Sequence, residues 1–221
     1  MLSSWIFLQL ADSAFPTGGF AHSGGLEAAL HMGEVKGASG LEKFLSEAIW
    51  QIGYGVLPLA NAAFENPDEL QTLDSLCEVF LTAHVANRAS RVQGRTFLST
   101  CVRSLGSEGL RSLDEEVKAQ CLHQHYAPIF GTVMKILKIE RLQMQQLLIH
   151  GSFRGMISAA VRLGVVGPYQ GQQIQTRFAG NLIEVQKQCE NFGIAELAQT
   201  APLLELFQSK HDCLYSKLFQ S

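Results

Sequence analysis

Apolar residues recur every three or four positions along most of this 221-residue chain. From Leu41 to Leu59 these steps place the apolar side chains on one helical face. Further helices are predicted over residues 3–11, 23–32, 70–81, 114–122, 127–137, 141–165, 169–191 and 202–218. No run of strand length alternates between apolar and polar residues. The pattern therefore predicts an all-α fold, a single-domain helical bundle of about ten helices spanning residues 1–221.

Proline, serine and glycine mark the predicted helix ends. Ser39 is placed to cap a helix N-terminus, and Pro67 is well placed to open a helix. Pro58 either kinks a helix or sits where one restarts. Residues 104–113, with three serines and two glycines, predict a loop, and Gly193 is predicted to follow a helix as its C-cap.

Residues 12–27 read DSAFPTGGFAHSGGLE, and this stretch organises the chain. Its Pro-Thr-Gly-Gly segment predicts a tight reversal, because proline fixes φ and the glycines permit positive φ. Phe15 and Phe20 are predicted to anchor it in a core, and Ser23 to cap a helix that carries Glu27 in its first turns. The polar groups of Asp12, Ser13, Thr17, His22 and Ser23 then lie near one another. Such an arrangement suits either a site or a polar cluster that satisfies its own hydrogen bonds.

Three arginines, Arg88, Arg91 and Arg95, recur at intervals of three and four and so share a helical face, with Gln93 close by. The row has two readings. It is either a solvated or ion-paired face, or a cationic surface for a phosphate or an acidic partner.

Cys121, His123 and His125 crowd into the segment CLHQH, and these residue types are the usual transition-metal ligands. On a helix, Cys121 and His125 share a face while His123 points away. Two ligands fall short of the coordination number of a structural site, so no stable metal site is predicted.

The chain end keeps Tyr215, Leu218 and Phe219 close to the terminus, where residues are usually polar and frayed. Residues 209–221 are therefore predicted to dock, either on the chain's own core or on another protein.

Composition and net charge indicate which kinds of partner the protein is expected to bind. Hydrophobic residues make up 47% of the chain and charged residues 17%, so apolar surface is expected to remain for partners. A net charge of −3 without a basic stripe disfavours a nucleic acid as the binding partner.

Five scattered cysteines without a CxxC pair predict reduced thiols, and no signal or membrane segment stands out, so we expect a cytoplasmic protein. The phosphate-loop, dinucleotide, zinc-protease and serine-hydrolase motifs are absent, and no catalytic residue is assigned.

Four segments together resemble the UreF family of urease accessory proteins. They are the stretch 12–27, SRVQGR at 90–95, RGMISAAVRLGVVGPYQGQ at 154–172, and HDCLYSKLFQS at 211–221. The sequence departs from the family pattern at Gly24, Lys217 and Gln220. The residues that the resemblance marks as partner-binding are Asp12, Ser13, Pro16, Thr17, Gly18, Phe20, His22, Ser23, Glu27, Arg91, Gln93, Arg95, Arg154, Ser158, Arg162, His211, Tyr215, Ser216, Lys217, Leu218 and Phe219.

The resemblance implies a non-catalytic, usually dimeric chaperone that binds UreD (UreH in some species), recruits the GTPase UreG and helps bring nickel to apo-urease. Nickel is then handled by the complex, with no cofactor bound stably by this chain. Two alternatives remain open from the residues. One is a nickel-binding carrier centred on Cys121, His123 and His125, and the other is a small hydrolase using Asp12, Ser13 and His22.

Overall fold

The computed structural model describes residues 2–220, so Met1 and Ser221, the ends of the predicted domain, lie outside the described residues. Its α-helices are α1 (Leu2–Ala11), α2 (Leu26–His31), α3 (Gly37–Gln51), α4 (Leu57–Glu65), α5 (Leu70–Phe80), α6 (His84–Leu105), α7 (Glu108–Ala119), α8 (Tyr126–Ile136), α9 (Arg141–Arg162), α10 (Pro168–Cys189) and α11 (Pro202–Lys210). No strand occurs between residues 2 and 220. The predicted all-α, single-domain bundle of about ten helices is confirmed.

The centre of the bundle is the packing of α8 against α4 on one side and α6 on the other. Glycines permit both contacts. A Cβ at Gly131 would lie 2.2 Å from the carbonyl oxygen of Ala60, and one at Gly94 would lie 2.0 Å from that of Gln124. Phe97 and Phe130 are almost completely buried here. The helices therefore approach closely enough to exclude water from a continuous apolar core.

Pro58 lies where a helix restarts. Residues Ile52–Val56 form a π-helical turn between α3 and α4, and Pro58 occupies the first turn of α4. The proline, which has no N–H to donate, thus lies just after the π-helical turn.

Three predicted boundaries are wrong. Residues 104–113 are not a loop, because only Gly106 and Ser107 separate α6 from α7, which buries Leu110, Leu113 and Val117. Ser39 lies inside α3, which begins at Gly37. Gly193 does not cap α10, because its φ of −116° is extended and its N–H donates to Glu196 Oε2 of a following 3-10 turn. Burial of an apolar stripe outweighed local propensity in α7.

The last helix is shorter than predicted. It ends at Lys210, and after a 3-10 turn at His211–Cys213 the chain runs without helix to Gln220. None of the helices within residues 2–220 has the length and apolar character that crossing a membrane requires.

Candidate functional site

The four sequence motifs meet on one face of the bundle. Thr100 of α6 donates a hydrogen bond of 2.9 Å to the carbonyl of Pro16. Arg154 of α9 donates to the carbonyl of Ala11 at 2.5 Å, and Arg162 to that of Phe20 at 2.6 Å. Thr100, which lies beyond the α6 motif, and the two arginines of the α9 motif thus hold the backbone around residues 12–27 through its carbonyl oxygens.

The predicted reversal is present. Gly18 has φ 79°, and a Cβ there would lie 3.1 Å from Cβ of Thr96, so both conformation and space favour glycine. A Cβ at Gly19 would lie 2.9 Å from Nε2 of Gln93. Pro16 and the two glycines therefore press this turn against α6.

Only one of the two predicted aromatic anchors enters the core. Phe15 is buried and meets Phe97 edge-on at a centroid distance of 6.4 Å. Phe20 is 71% exposed, and its ring lies against the Arg162 guanidinium at 3.9 Å. The prediction that Phe20 is buried is wrong, because a cation on α9 offers its ring a contact at the surface.

The small polar residues of the stretch bond largely to their own turns. Asp12 Oδ1 accepts from the Ala14 N–H at 2.8 Å, and Thr17 Oγ1 accepts from the Gly19 N–H at 3.3 Å. Ser23 Oγ accepts from the Glu27 N–H at 3.4 Å, although α2 begins at Leu26 and not at Ser23. Of the two readings of these groups, the structure supports a self-satisfied polar cluster.

Glu27 joins the stretch to the C-terminal tail. Its side chain is 2% exposed and accepts hydrogen bonds from the N–H groups of Leu218 at 2.6 Å and Phe219 at 3.2 Å. Nε2 of the fully buried His211 lies 2.9 Å from Oε2. Burial alone would raise the pKa of Glu27, but hydrogen bonds from Leu218, His211 and Phe219 outweigh burial and hold it below its ordinary value.

The tail docks on the chain's own core, which was one of the two predicted outcomes. Phe219 is buried with its ring 4.2 Å from the Arg162 guanidinium, and the Gln220 N–H donates to the carbonyl of Ala21 at 2.9 Å. Tyr215 and Leu218 point outward, and Ser216 and Lys217 are also exposed. We refer to residues 12–27 and 211–220 together as the tail–signature knot.

The α9 motif also borders open space. Ser158, Arg154 and Arg162 line a cleft of about 1180 Å³ that runs between α9 and residues 13–24. A Cβ at Gly155 would meet nothing within 4 Å. Gly155 and Ser158 therefore face a cleft, whereas the small residues Ala159 and Ala160 of the same helix are buried.

The arginine row is partly paired and partly open. Arg88 forms a bidentate ion pair with Asp212 of the tail, at 3.0 and 3.1 Å. Arg91 lies 3.9 Å from Glu78, and Nε of Arg95 donates to the backbone carbonyl of Arg91. Arg88 is ion-paired, as one of the two interpretations of the row predicted. Arg91 and Arg95 keep hydrogen-bond donors that face solvent.

Cys121, His123 and His125 lie in a loop, because α7 ends at Ala119 and Cys121 has φ 53°. The geometry expected on a helix does not apply to this loop, and both histidines approach Glu78, with ring centroids 6.0 Å apart. The imidazole of His125 is fully buried between Glu78 and Ser90, at 2.7 and 3.1 Å. Within residues 2–220 no group of three or more His, Cys, Asp or Glu side chains is arranged to hold a metal ion.

The hydrolase alternative is not favoured by the geometry. Asp12 and Ser13 are exposed, and Asp12 bonds within its own turn. Burial lowers the pKa of His22, and the positive charges of Arg88 and His211 lower it further. The charges of Arg88 and His211 therefore lie close enough to act on His22.

Sequence reasoning missed four residues that organise this face. Asp74 is buried and accepts from the N–H groups of Gln124 and His125. Glu78, Ser90 and Asp212 fix His125 and Arg88. Ser90 and Asp212 lie inside the SRVQGR and HDCLYSKLFQS segments, which were the signal for them. Asp74 was visible as an acidic residue on the otherwise apolar face of α5.

Comparison with known proteins agrees with these motifs. A family model described as UreF matches residues 35–179. Urease accessory protein F of Oryza sativa subsp. indica is 33% identical over 221 residues, which cover 98% of this chain and 85% of the relative. Urease accessory protein F of Arabidopsis thaliana is 34% identical over 224 residues, covering 98% and 92%.

A bacterial relative extends the likeness across kingdoms. Urease accessory protein UreF of Mycobacterium tuberculosis (strain ATCC 25177 / H37Ra) is 28% identical over 221 residues, which cover 100% of both chains. The matched relatives are named as accessory proteins and not as enzymes. With the family model spanning most of the chain and plant relatives above 30% identity over almost all of it, the chain belongs to the UreF family.

Proposed function

We propose that this chain acts in urease maturation as a scaffold joining UreD (or UreH), the GTPase UreG and apo-urease while nickel is inserted. The observation that carries the proposal is the outward face of the tail–signature knot. There Phe20 is 71% exposed and Leu218 52% exposed, and the side chain of Tyr215 is fully exposed. Aromatic residues are enriched in protein interfaces, and tyrosine is enriched among the side chains that carry most of the binding energy.

The buried residues of the tail–signature knot hold this outward face in position. Ser23, Glu27 and His211 are buried, so they hold the tail in place and do not reach a partner in this conformation. Arg154 and Arg162 do the same by bonding to backbone carbonyls. We assign the partner contacts to Phe20, Tyr215 and Leu218, and the UreG-facing role to Arg91 and Arg95.

Three further features belong to the same proposal. The protein is a homodimer in its working complex, nickel is handled by the assembled complex, and the location is cytoplasmic. All five cysteines are free thiols, as a reducing compartment requires. Neither the nickel-carrier nor the hydrolase alternative is retained.

The test is copurification from cells that express the chain with UreD, UreG and urease. The double substitution Phe20→Ser and Tyr215→Ser is expected to lower recovery of UreD at least about tenfold, because hot-spot side chains contribute about 2 kcal/mol or more. Ile183→Ser, which changes an exposed apolar residue on α10, is the matched control and should leave recovery unchanged.

Equal losses in both variants, or no loss in either, would contradict the assignment. Substitution is preferred to deletion of residues 211–221, because deletion would leave the buried Glu27 carboxylate without its partners.

A further inference from the structure

A polar groove of about 560 Å³ runs between the end of α5 and the start of α6. We call it the arginine groove. It is lined by Glu78, Leu81, Thr82, His84, Asn87, Arg88, Arg91 and Arg95. Three of the lining residues are arginines, Arg88, Arg91 and Arg95.

Positive charge in this groove is incompletely neutralised. Glu78 is the one carboxylate of the lining, and its Oε2 is already bonded to His125 at 2.7 Å and Asn87 at 3.1 Å. Arg91 approaches it only to 3.9 Å, and the Arg91 side chain is 38% exposed. Arg95 is exposed. Donors of Arg91 and Arg95 are therefore available to an acceptor from outside.

The chain itself shows how the groove takes a carboxylate. Asp212 reaches its rim from the tail and forms two parallel hydrogen bonds with Arg88, with His84 Nε2 at 3.2 Å. Glu205 of α11 reaches the same rim at Thr82, at 3.1 Å. Bidentate pairing of this kind is specific for carboxylates and related planar or tetrahedral anions.

The spacing of the arginines selects an extended ligand. Arg91 and Arg95 are four residues apart, which is about 6 Å along a helix, and Arg88 extends the row to about 10 Å when Asp212 leaves it. An extended segment of three or four residues matches the length of the whole row. Nucleic acid is disfavoured because the chain carries a net charge of −3.

We propose that the arginine groove binds an acidic segment of a partner protein through Arg91 and Arg95, and that Asp212 of the chain's own tail competes for the adjoining Arg88. The inference deepens the proposed function and rests on it for the partner's identity. It links the two surfaces, because Asp212 belongs to the same tail that carries Tyr215 and Leu218.

The experiment measures binding of a fluorescein-labelled hexaglutamate peptide to the full-length protein by fluorescence anisotropy at low salt, with hexaglutamine as the uncharged peptide. Arg91→Ala with Arg95→Ala is expected to raise the Kd at least tenfold. Arg103→Ala with Arg111→Ala removes the same charge from exposed positions outside the groove and should change the Kd less than twofold. Asp212→Asn is expected to lower the Kd about threefold, because it frees Arg88.

Equal effects of the two arginine pairs, or unchanged binding in Asp212→Asn, would overturn the proposal. Displacement of the labelled peptide by sodium glutamate at equal carboxylate concentration would also overturn the proposal, because the groove would then recognise an isolated anion. Arg95→Ala alone, at an exposed position, repeats the test if the double variant unfolds; an unchanged Kd there counts against the groove.

Failure here is distinguishable from failure of the proposed function. Peptide binding with the expected arginine dependence, but no copurification with urease proteins, rejects the proposed function alone. Copurification that depends on Phe20 and Tyr215, without groove-dependent peptide binding, rejects the inference alone.

Discussion

Where α8 crosses α4, the contact is made by glycine, alanine and buried apolar side chains, whereas the tail is joined to residues 12–27 chiefly through the single carboxylate of Glu27. The first region gains its stability from burial spread over many side chains. The contact between the tail and residues 12–27 depends instead on three hydrogen bonds to the charge of Glu27. Damage to the crossing is therefore expected to reach the whole fold, and damage to Glu27 to remain in the tail.

The largest expected effect is at the crossing. Gly131→Ala would place a methyl group 2.2 Å from the Ala60 carbonyl oxygen, so α4 and α8 must separate. We expect the free energy of unfolding to fall by about 3 kcal/mol, at the upper end of overpacking costs. Chemical denaturation followed by circular dichroism measures it.

Gly155→Ala is the matched control, because a Cβ there meets nothing within 4 Å. In a helix interior alanine is favoured over glycine, so this variant should gain about 0.5–1 kcal/mol. Similar losses in the two glycine variants would refute the close-approach account.

A smaller, local effect is expected at the knot. Glu27→Gln keeps the shape but removes the charge that three donors face, which should weaken tail docking by about 2 kcal/mol. Hydrogen exchange at the Leu218 and Phe219 amides should lose roughly thirtyfold in protection, while amides of α8 keep theirs. The exposed Glu34→Gln serves as the control. Lost protection throughout the bundle would show that the tail and the core unfold together.

The smallest effect should come from pH. Because the pKa of Glu27 is lower in the folded chain than its ordinary value of 4.5, its contribution is complete above that value and is lost as pH falls through the folded pKa. The pKa of Asp212 is also lowered, chiefly by hydrogen bonds from Arg88, so this second tail contact also persists below the ordinary pKa of an aspartate. Protection factors of the tail amides should stay constant between about pH 5.5 and 4.5 and decline below about 4.5 as Glu27 is protonated. Because the pKa of His22 is lowered, a separate decline near pH 6.5 is assigned to His22 and not to the Glu27 contact. A decline below about pH 4.5 that persists in Glu27→Gln would assign the contact to a different group.

The two regions also differ in how much of their structure could be predicted from the sequence. The reversal at Pro16–Gly19 was predictable, because φ limits of proline and glycine are local properties. Phe15 and Phe20 look equivalent in the sequence, yet one is buried and the other lies on Arg162, 142 positions away. The pairing of Arg88 with Asp212 was equally invisible, since the row itself fits a solvated face as well.

The sequence alone determined the helices, the tight turn and the family, because periodicity, backbone restriction and motif order can all be read along the chain. Only the tertiary structure decided that Glu27 receives the tail and that Phe20 remains outside. It also decided that Asp212 occupies the rim of the arginine groove. These outcomes join residues more than a hundred positions apart, and a hydrogen bond between them exists only after helix packing has brought donor and acceptor within about 3 Å.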